Sequence, residues 1–276
     1  MPADAAGKSS GYFSQLFAVV SGSATQLVRP PSHARRAEAA RRLARHALLL
    51  AAIGGIAIVA LMFVLDVWEI GLMPPRRSPG LWPVRIVTDF GKAALVLWSL
   101  AIALLVVGVI SPRWRGTART RLLAFGTHLQ FVFFAVLVPV LVGEVIKWVV
   151  GRGRPFVGGE ANAFNFKHFA GSEAYASFPS AHAITSVALA FAVAALWPRA
   201  RFAMAVYALL IIASRLVLLA HHPSDVVAGT VVGLIGAMFV RYWFAARDLG
   251  FTIEPNGAIV PLMGNPKRVA RGAPAP

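Results

Sequence analysis

The sequence predicts an all-α protein, a polytopic membrane helical bundle with about six transmembrane helices. Of the 276 residues, 58% are hydrophobic and 14% are charged, which is too apolar for an ordinary soluble domain. The longest apolar runs can cross a hydrocarbon core of about 30 Å. The six candidate spans are residues 47–65, 93–110, 122–146, 180–197, 202–220 and 226–244.

Positive charge predicts how the bundle is oriented. The net charge of +16 comes from 27 cations and 11 anions, and clusters of Lys and Arg mark the cytoplasmic side of a membrane protein. With six crossings, the four basic clusters lie on one face: before the first span, after the second, after the fourth and after the sixth. The connection at 66–92 carries four cations on the other face. We therefore expect an integral membrane protein with both termini in the cytoplasm.

The chain divides into three predicted parts: a basic cytoplasmic tail at 1–45, a six-helix membrane domain at 46–246, and a cytoplasmic tail at 247–276. Residues 1 to about 32 have the composition of a mobile segment, whereas 33–46 favours a helix that continues into the first span. The N-terminal arginines predict contact with anionic lipid headgroups. Along the whole chain the cations alternate with membrane spans, which argues against nucleic-acid binding. The absence of cysteine excludes thiolate nucleophiles and zinc-thiolate sites.

Three short runs contain most of the reactive side chains, and this topology places all of them at the external ends of the helices. They are KWVVGRGRP from Lys147, PSAH from Pro179 and SRLVLLAHHPSD from Ser214. Together they supply cations, hydroxyls, histidines and a carboxylate. This combination can hold a phosphoryl group and transfer it through a histidine.

The first two runs each have an ordinary structural explanation as well. Lys147 and Arg154 lie seven residues apart, and the intervening glycines favour a helix end that turns Arg154 toward a ligand. Cations at the end of a span also anchor to headgroups, an explanation that fits Arg152 best. In the second run, a proline suited to a first helical turn precedes Ser180 and His182, which can face an anion at the helix start. A capping serine and a satisfied polar histidine are the alternative.

The third run is the most informative. Ser214 and Arg215 fall in the last turns of an apolar stretch, where ionisable residues are functional by default. His221 and Asp225 are four residues apart, so the carboxylate can reach one imidazole nitrogen and leave the other free. His222 is an adjacent candidate for the same role, or an interfacial polar residue.

The three runs resemble the tripartite motif of the type 2 phosphatidic acid phosphatase family, in its integral-membrane bacterial branch. That motif is Lys, six residues, Arg-Pro; then Pro-Ser-Gly-His; then Ser-Arg, five residues, His, three residues, Asp. The first and third parts match without departure, and the second has Ala181 in place of Gly. The extra methyl group bears on how closely the backbone approaches a phosphate.

The resemblance implies a protein of the bacterial inner membrane with its active site facing the periplasm, and it implies a role for each matching residue. His221 would attack phosphorus and form a phosphohistidine, with Asp225 fixing its tautomer, while His182 protonates the leaving oxygen and later activates water. The residues implied to bind the phosphate are Lys147, Arg154, Ser180, Ser214 and Arg215. The sequence offers no carboxylate cluster for magnesium, which predicts metal-independent turnover without a cofactor.

The substrate should be an amphiphilic lipid phosphate. A site at the ends of spans is at the depth of lipid headgroups, so a lipid can reach it by moving laterally within the membrane. Candidates implied by the resemblance are polyprenyl diphosphate, lipid A phosphate, phosphatidylglycerol phosphate and phosphatidic acid, and the residues do not rank them.

A lipid phosphotransferase and an anion or lipid transporter are the alternatives, although a transporter usually has helices broken near the midplane. Vanadate-dependent haloperoxidases have similar motifs but a soluble build. Gly229 and Gly233 suit helix packing within one chain or between chains, so the oligomeric state stays open.

Overall fold

The structure is a computed structural model that describes residues 11–75, 78–155, 157–159, 161–254 and 257–262. The outer parts of both predicted tails, 1–10 and 263–276, lie outside the described residues, as do the loop cations Arg76 and Arg77. The helices are α1 (Tyr12–Val28), α2 (His33–Val64), α3 (Trp68–Leu72), α4 (Trp82–Asp89), α5 (Ala93–Ile110), α6 (Gly116–Val150), α7 (Ala181–Leu196), α8 (Arg201–Val217) and α9 (Pro223–Ala246). Two short strands, β1 (Phe251–Ile253) and β2 (Ile259–Pro261), form an antiparallel hairpin.

The predicted membrane bundle is confirmed, with one span shorter than expected. Helical segments that include α2, α5, α6, α8 and α9 are long and apolar enough to cross a membrane. The fourth candidate span, 180–197, is α7, which has 16 residues and is therefore only about 24 Å long. It contacts α6, α8 and α9 and is largely buried among them, so lipid does not have to match its length.

The core of the bundle is the contact between α7 and its neighbours α6 and α9. Apolar side chains from the three helices form one buried cluster, which includes Phe131, Ile184 and Ala237. A Cβ atom at Gly229 would lie 2.5 Å from the Ser180 carbonyl oxygen, and one at Gly233 would lie 2.7 Å from that of Ile184. These two glycines therefore serve helix packing within the chain, because they allow the α9 backbone to approach α7.

Both predicted tails contain ordered structure. Residues 12–28 form α1 instead of a mobile segment, and the Tyr12 hydroxyl donates to the Val109 carbonyl at 2.7 Å. At the other terminus, the rings of Phe251 and Phe131 lie 4.7 Å apart, so the hairpin packs onto α6. The expected mobile segment is thus wrong for residues 12–28, whereas the predicted helix across 33–46 is confirmed as the first half of α2.

The connection between the first two spans carries α3 and α4. Helix α4 exposes Trp82, Ile86 and Val87, as expected of a segment at a membrane interface. It packs against α8, and the Tyr207 hydroxyl donates to the Phe90 carbonyl at 2.9 Å. This connection therefore lies over the end of α8, where the third sequence motif begins.

Candidate functional site

All three motifs lie at one end of the bundle, which we call the site end. The first motif is shaped by the end of α6 at Val150. Gly151 has φ +55°, and a Cβ there would lie 1.9 Å from the Lys167 carbonyl oxygen, so glycine is required for this turn. Lys147 remains in the last helical turn, whereas Arg152 and Arg154 lie in the loop. This is the helix end that the glycines predicted.

Two of the predicted phosphate ligands are arginines close to His221. Arg215 is buried in the last turn of α8 and donates from Nη1 to the Thr88 hydroxyl at 2.8 Å. Arg154 donates from Nε to the Glu173 carbonyl at 2.9 Å. The charges of both arginines act on the His221 and His182 rings, so the structure brings these four residues together.

Lys147 approaches the same region from α6. One helical turn before it, a Cβ at Gly143 would contact Ile184 and Pro179, so this face of α6 is directed at the start of α7. The Lys147 ammonium is ion-paired with Glu144, which is more than half exposed. The face of α6 that carries Lys147 is thus directed at the second motif, and the ammonium has an exposed carboxylate as its partner.

The second motif opens α7. Ser180 is the N-cap residue, and Pro179 lies before the cap instead of in the first turn as predicted. The Ser180 hydroxyl oxygen and His182 Nε2 are buried and have no hydrogen-bond partner within the described segments. Buried polar atoms are rarely left unpaired, so these two atoms are suited to a ligand. Ser214 differs, because its hydroxyl donates to the Ile211 carbonyl at 2.6 Å.

His221 lies in the loop between α8 and α9 and is buried. Its Nδ1 atom is 2.8 Å from the Ser177 carbonyl oxygen and 3.9 Å from Asp225 Oδ2. A carbonyl can only accept, so Nδ1 carries the proton and Nε2 keeps its lone pair. Burial, together with the charges of Arg215 and Arg154, lowers the pKa of His221 well below its ordinary value, which keeps the ring neutral. The tautomer is therefore fixed by Ser177, which corrects the expectation that Asp225 would fix it.

Asp225 is fully buried and accepts hydrogen bonds on both carboxylate oxygens. Its Oδ2 accepts from the Ser177 hydroxyl at 2.6 Å and from the His222 backbone N–H at 2.9 Å. Its Oδ1 accepts from Arg152 Nη1 at 2.6 Å. Because Ser177 bonds both Asp225 and His221, the carboxylate acts on the histidine through the backbone of Ser177.

Arg152 is 1% exposed, so the prediction that it anchors to headgroups is wrong. Its guanidinium bridges two buried carboxylates, Asp225 and Asp66, with Nη2 lying 2.7 Å from Asp66 Oδ2. It also donates to the Ser224 hydroxyl at 2.6 Å and to the Ala163 carbonyl. A buried charge of this kind requires counter-charges, and here the two carboxylates that supply them come from distant parts of the chain.

His222 is also fully buried and is not the interfacial residue considered from the sequence. It is the N-cap of α9, where Asp225 completes a capping box. Its Nδ1 atom lies 3.3 Å from the Asp66 backbone oxygen. His222 therefore belongs to the scaffold behind His221.

Sequence patterns missed Asp66, Arg152, Ser177 and Thr88. Asp66 directly follows the first span and looked like part of an interfacial connection. Ser177 and Thr88 lie in connections between spans, outside the three motifs, where no spacing singles them out. One feature of the sequence could have identified the pair of Arg152 and Asp66. Both are ionisable residues at the end of a span, where such residues are usually functional or paired.

A second buried acid lies near this scaffold. Glu69 on α3 is 6% exposed, and neither of its carboxylate oxygens has a hydrogen-bond partner in the described part of the chain. Burial, and to a lesser degree the charge of Asp66, raise its pKa to about 7. Its protonation is therefore sensitive to pH near neutrality.

Comparison with known proteins agrees with the motifs. Residues 128–249, a range that includes all three motifs, match the model of the PAP2 superfamily. Two proteins named lipid A 1-phosphatase, from Rhizobium johnstonii and Rhizobium etli, are 32% and 31% identical to this chain. The matches cover 63% of this chain and 71% and 75% of those two proteins. No solved structure matches the chain at a significant level. The chain therefore belongs to the PAP2 superfamily, the family that its three motifs resemble.

Proposed function

We propose that this protein removes a phosphate group from a membrane lipid through a covalent phosphohistidine at His221. The family and the named relatives make the chain a lipid phosphatase and a hydrolase. The observation that carries the mechanism is the state of His221, a neutral ring with a free Nε2 lone pair among the charges of Arg215 and Arg154. That arrangement is what nucleophilic attack on a phosphoryl group requires.

In the first step, His221 Nε2 attacks phosphorus in line with the bond to the lipid oxygen. The N–P bond forms as the P–O bond breaks. The negative charge of the bound phosphate favours protonation of His182, which then donates the proton that the departing alkoxide takes up. Arg154, Arg215 and Lys147 stabilise the charge on the non-bridging oxygens. The Ser180 hydroxyl, which has no hydrogen-bond partner among the described residues, can donate to one of the same oxygens.

In the second step, neutral His182 removes a proton from water as the water oxygen attacks the phosphohistidine. The P–N bond breaks, inorganic phosphate leaves, and His182 is again protonated for the next cycle. His221 returns to its neutral form with the proton still on Nδ1. No cofactor takes part in either step as proposed.

Asp225 and Arg152 act as positioning residues behind His221. When Nε2 is phosphorylated the imidazole becomes cationic, and the Asp225 carboxylate at 3.9 Å stabilises that charge. Arg152 and Asp66 keep the carboxylate in place through buried ion pairs. The same contacts hold Ser177, whose carbonyl fixes the His221 tautomer.

Among the four candidate substrates, the relatives favour a lipid A phosphate, because both are named lipid A 1-phosphatase. We further propose that the site end faces the periplasm and that both termini are cytoplasmic. The basic segments at 29–45, 113–121 and 199–201 lie at the opposite end, which agrees with the positive-inside rule. We also propose that turnover is metal-independent, with Lys147, Arg154 and Arg215 supplying the positive charge that the phosphoryl group requires.

Phosphate release from a panel of purified lipid phosphates in detergent tests this function. We expect the protein to release phosphate from at least one member without added metal, and the His221→Ala protein to release none above background. Release by both proteins would contradict the assignment of the nucleophile. Abolition by EDTA with recovery in magnesium would contradict metal independence.

The same assay separates hydrolysis from the two alternatives. An added lipid acceptor that becomes phosphorylated in place of phosphate release would indicate a phosphotransferase. Exchange of labelled anion across liposomes without phosphate release would indicate a transporter. Hydrolysis predicts neither result.

A further inference from the structure

A second cluster of positive charge lies at the end of the bundle opposite the site end. A cleft of about 300 Å³ separates the turn between α1 and α2 from the end of α9. Arg29, Arg35 and Arg247 line it, together with Ser32 and Asp248. Its volume is at the lower end of the range of roughly 300 to 1,000 Å³ typical of ligand sites.

The cleft carries more positive charge than the chain itself neutralises. Asp248 forms an ion pair with Arg35. Arg29 has no side-chain hydrogen bond or ion pair with any residue that the structure describes. Arg247 donates from Nη1 to the Trp243 carbonyl at 3.1 Å, but its Nε is buried and unpaired in the described chain. Arg29 and Arg247 are therefore available to a negatively charged ligand.

The walls of the cleft are held by contacts of Trp243. The Arg247 guanidinium lies 3.6 Å from the centre of the Trp243 ring, a cation–π contact that fixes its plane. The indole N–H of Trp243 donates to the Leu27 carbonyl at 3.1 Å and so joins α9 to the end of α1. The site is largely formed before a ligand arrives, which lowers the entropic cost of binding.

The surface next to the cleft favours a lipid over a soluble anion. Helix α1 contains no charged residue and exposes Phe13, Phe17, Val20 and Val28. An exposed apolar face of a helix at a membrane surface is buried at the boundary between headgroups and acyl chains. Arg29 directly follows this helix, so the cleft opens at the depth of lipid phosphates.

We propose that this cleft binds the phosphate group of an anionic membrane lipid, with Arg29 and Arg247 as its counter-charges. The site is separate from the catalytic residues and would bind a phosphodiester lipid that a phosphomonoesterase does not cleave. The proposal therefore stands or falls independently of the proposed reaction.

Thermal unfolding of the full-length protein in detergent tests the proposal, with dihexanoyl phosphatidylglycerol as the probe. We expect the lipid to raise Tm, and the Arg29→Gln protein to lose most of that rise. The Arg29 side chain has no hydrogen bond or ion pair with the described residues, so this variant should fold and release phosphate normally. Arg41→Gln is the matched control, because Arg41 is an exposed arginine of α2 outside the cleft.

Several results would overturn the proposal. They are an undiminished rise in Arg29→Gln, an equal loss in Arg41→Gln, an equal rise with dihexanoyl phosphatidylcholine, and an equal rise with inorganic phosphate alone. The last result would assign the cleft to a free anion instead of a lipid. The Lys147→Ala protein should keep the full rise, and loss of the rise there would place binding at the catalytic site.

Discussion

His221 Nδ1 and the Ser177 carbonyl oxygen lie 2.8 Å apart, and this contact sets the chemistry that His221 can perform. It places the ring proton on Nδ1 and leaves Nε2 free. A backbone carbonyl orients the ring, and Asp225 supports that carbonyl through the Ser177 side chain. The acid therefore does not need to contact the ring to control it.

The neutral state of His221 predicts activity at mildly acidic pH. Because burial and the charges of Arg215 and Arg154 lower its pKa well below 6.5, the free enzyme should keep an unprotonated nucleophile at pH 6. We expect the acid limb of kcat/KM caused by His221 to lie below pH 6.5. A pH profile of kcat/KM, measured over the range in which the fold is stable, tests this expectation. An acid limb that is assigned to His221 and has an apparent pKa at or above 6.5 would contradict it.

Lys147 should stabilise the transition state and not simply anchor the helix. Lys147→Ala should lower kcat/KM by roughly 10²- to 10³-fold, the usual effect of removing one donor to a developing charge, with normal expression. Glu144→Gln is the matched variant, because it removes the partner of the ammonium and keeps the cation. We expect Glu144→Gln to retain activity. An unchanged kcat/KM in Lys147→Ala would assign the residue to lipid anchoring.

Removal of Arg152 should damage both stability and catalysis. Arg152→Ala leaves Asp66 and Asp225 buried without their counter-charge, which costs about 3 to 5 kcal/mol for a broken buried pair. Thermal unfolding should show a large fall in Tm, and surviving folded protein should have a lower kcat. Arg199→Ala, at an exposed arginine of the opposite end, should change neither. Equal, small effects of the two substitutions would contradict the positioning role.

Glu69 predicts a pH-dependent loss of stability. Its pKa is raised from 4.5 to about 7 in the folded protein, so between these values the unfolded chain loses the proton first. Stability should therefore fall as pH rises from 4.5 to 7. Glu69→Gln should raise stability at pH 8 by about 1 to 3 kcal/mol and have little effect at pH 4.5. A Tm difference between the two proteins that does not change with pH would contradict this.

The sequence predicted the membrane bundle and the three motifs because their patterns are local. Apolar length identified the spans, and the spacing within 147–155 and 214–225 identified residues that lie together at one end. The scaffold behind His221 could not be predicted in the same way. The partnership of Arg152 with Asp66 joins residues 86 positions apart, and neither spacing nor composition encodes such a pair. The helix at 12–28 was missed because its small and polar residues are also typical of mobile segments.

Detection of a covalent phosphate on His221 is the most direct test of the proposed phosphohistidine mechanism. Rapid acid-free quenching of the protein with a ³²P-labelled lipid phosphate should trap an acid-labile, alkali-stable label on the peptide containing His221. His182→Ala should release phosphate more slowly by roughly 10²- to 10⁴-fold, the usual contribution of a general acid and base. We expect labelling that forms as fast as turnover and is absent in His221→Ala. Turnover that continues in His221→Ala, or without any labelled intermediate, would contradict it.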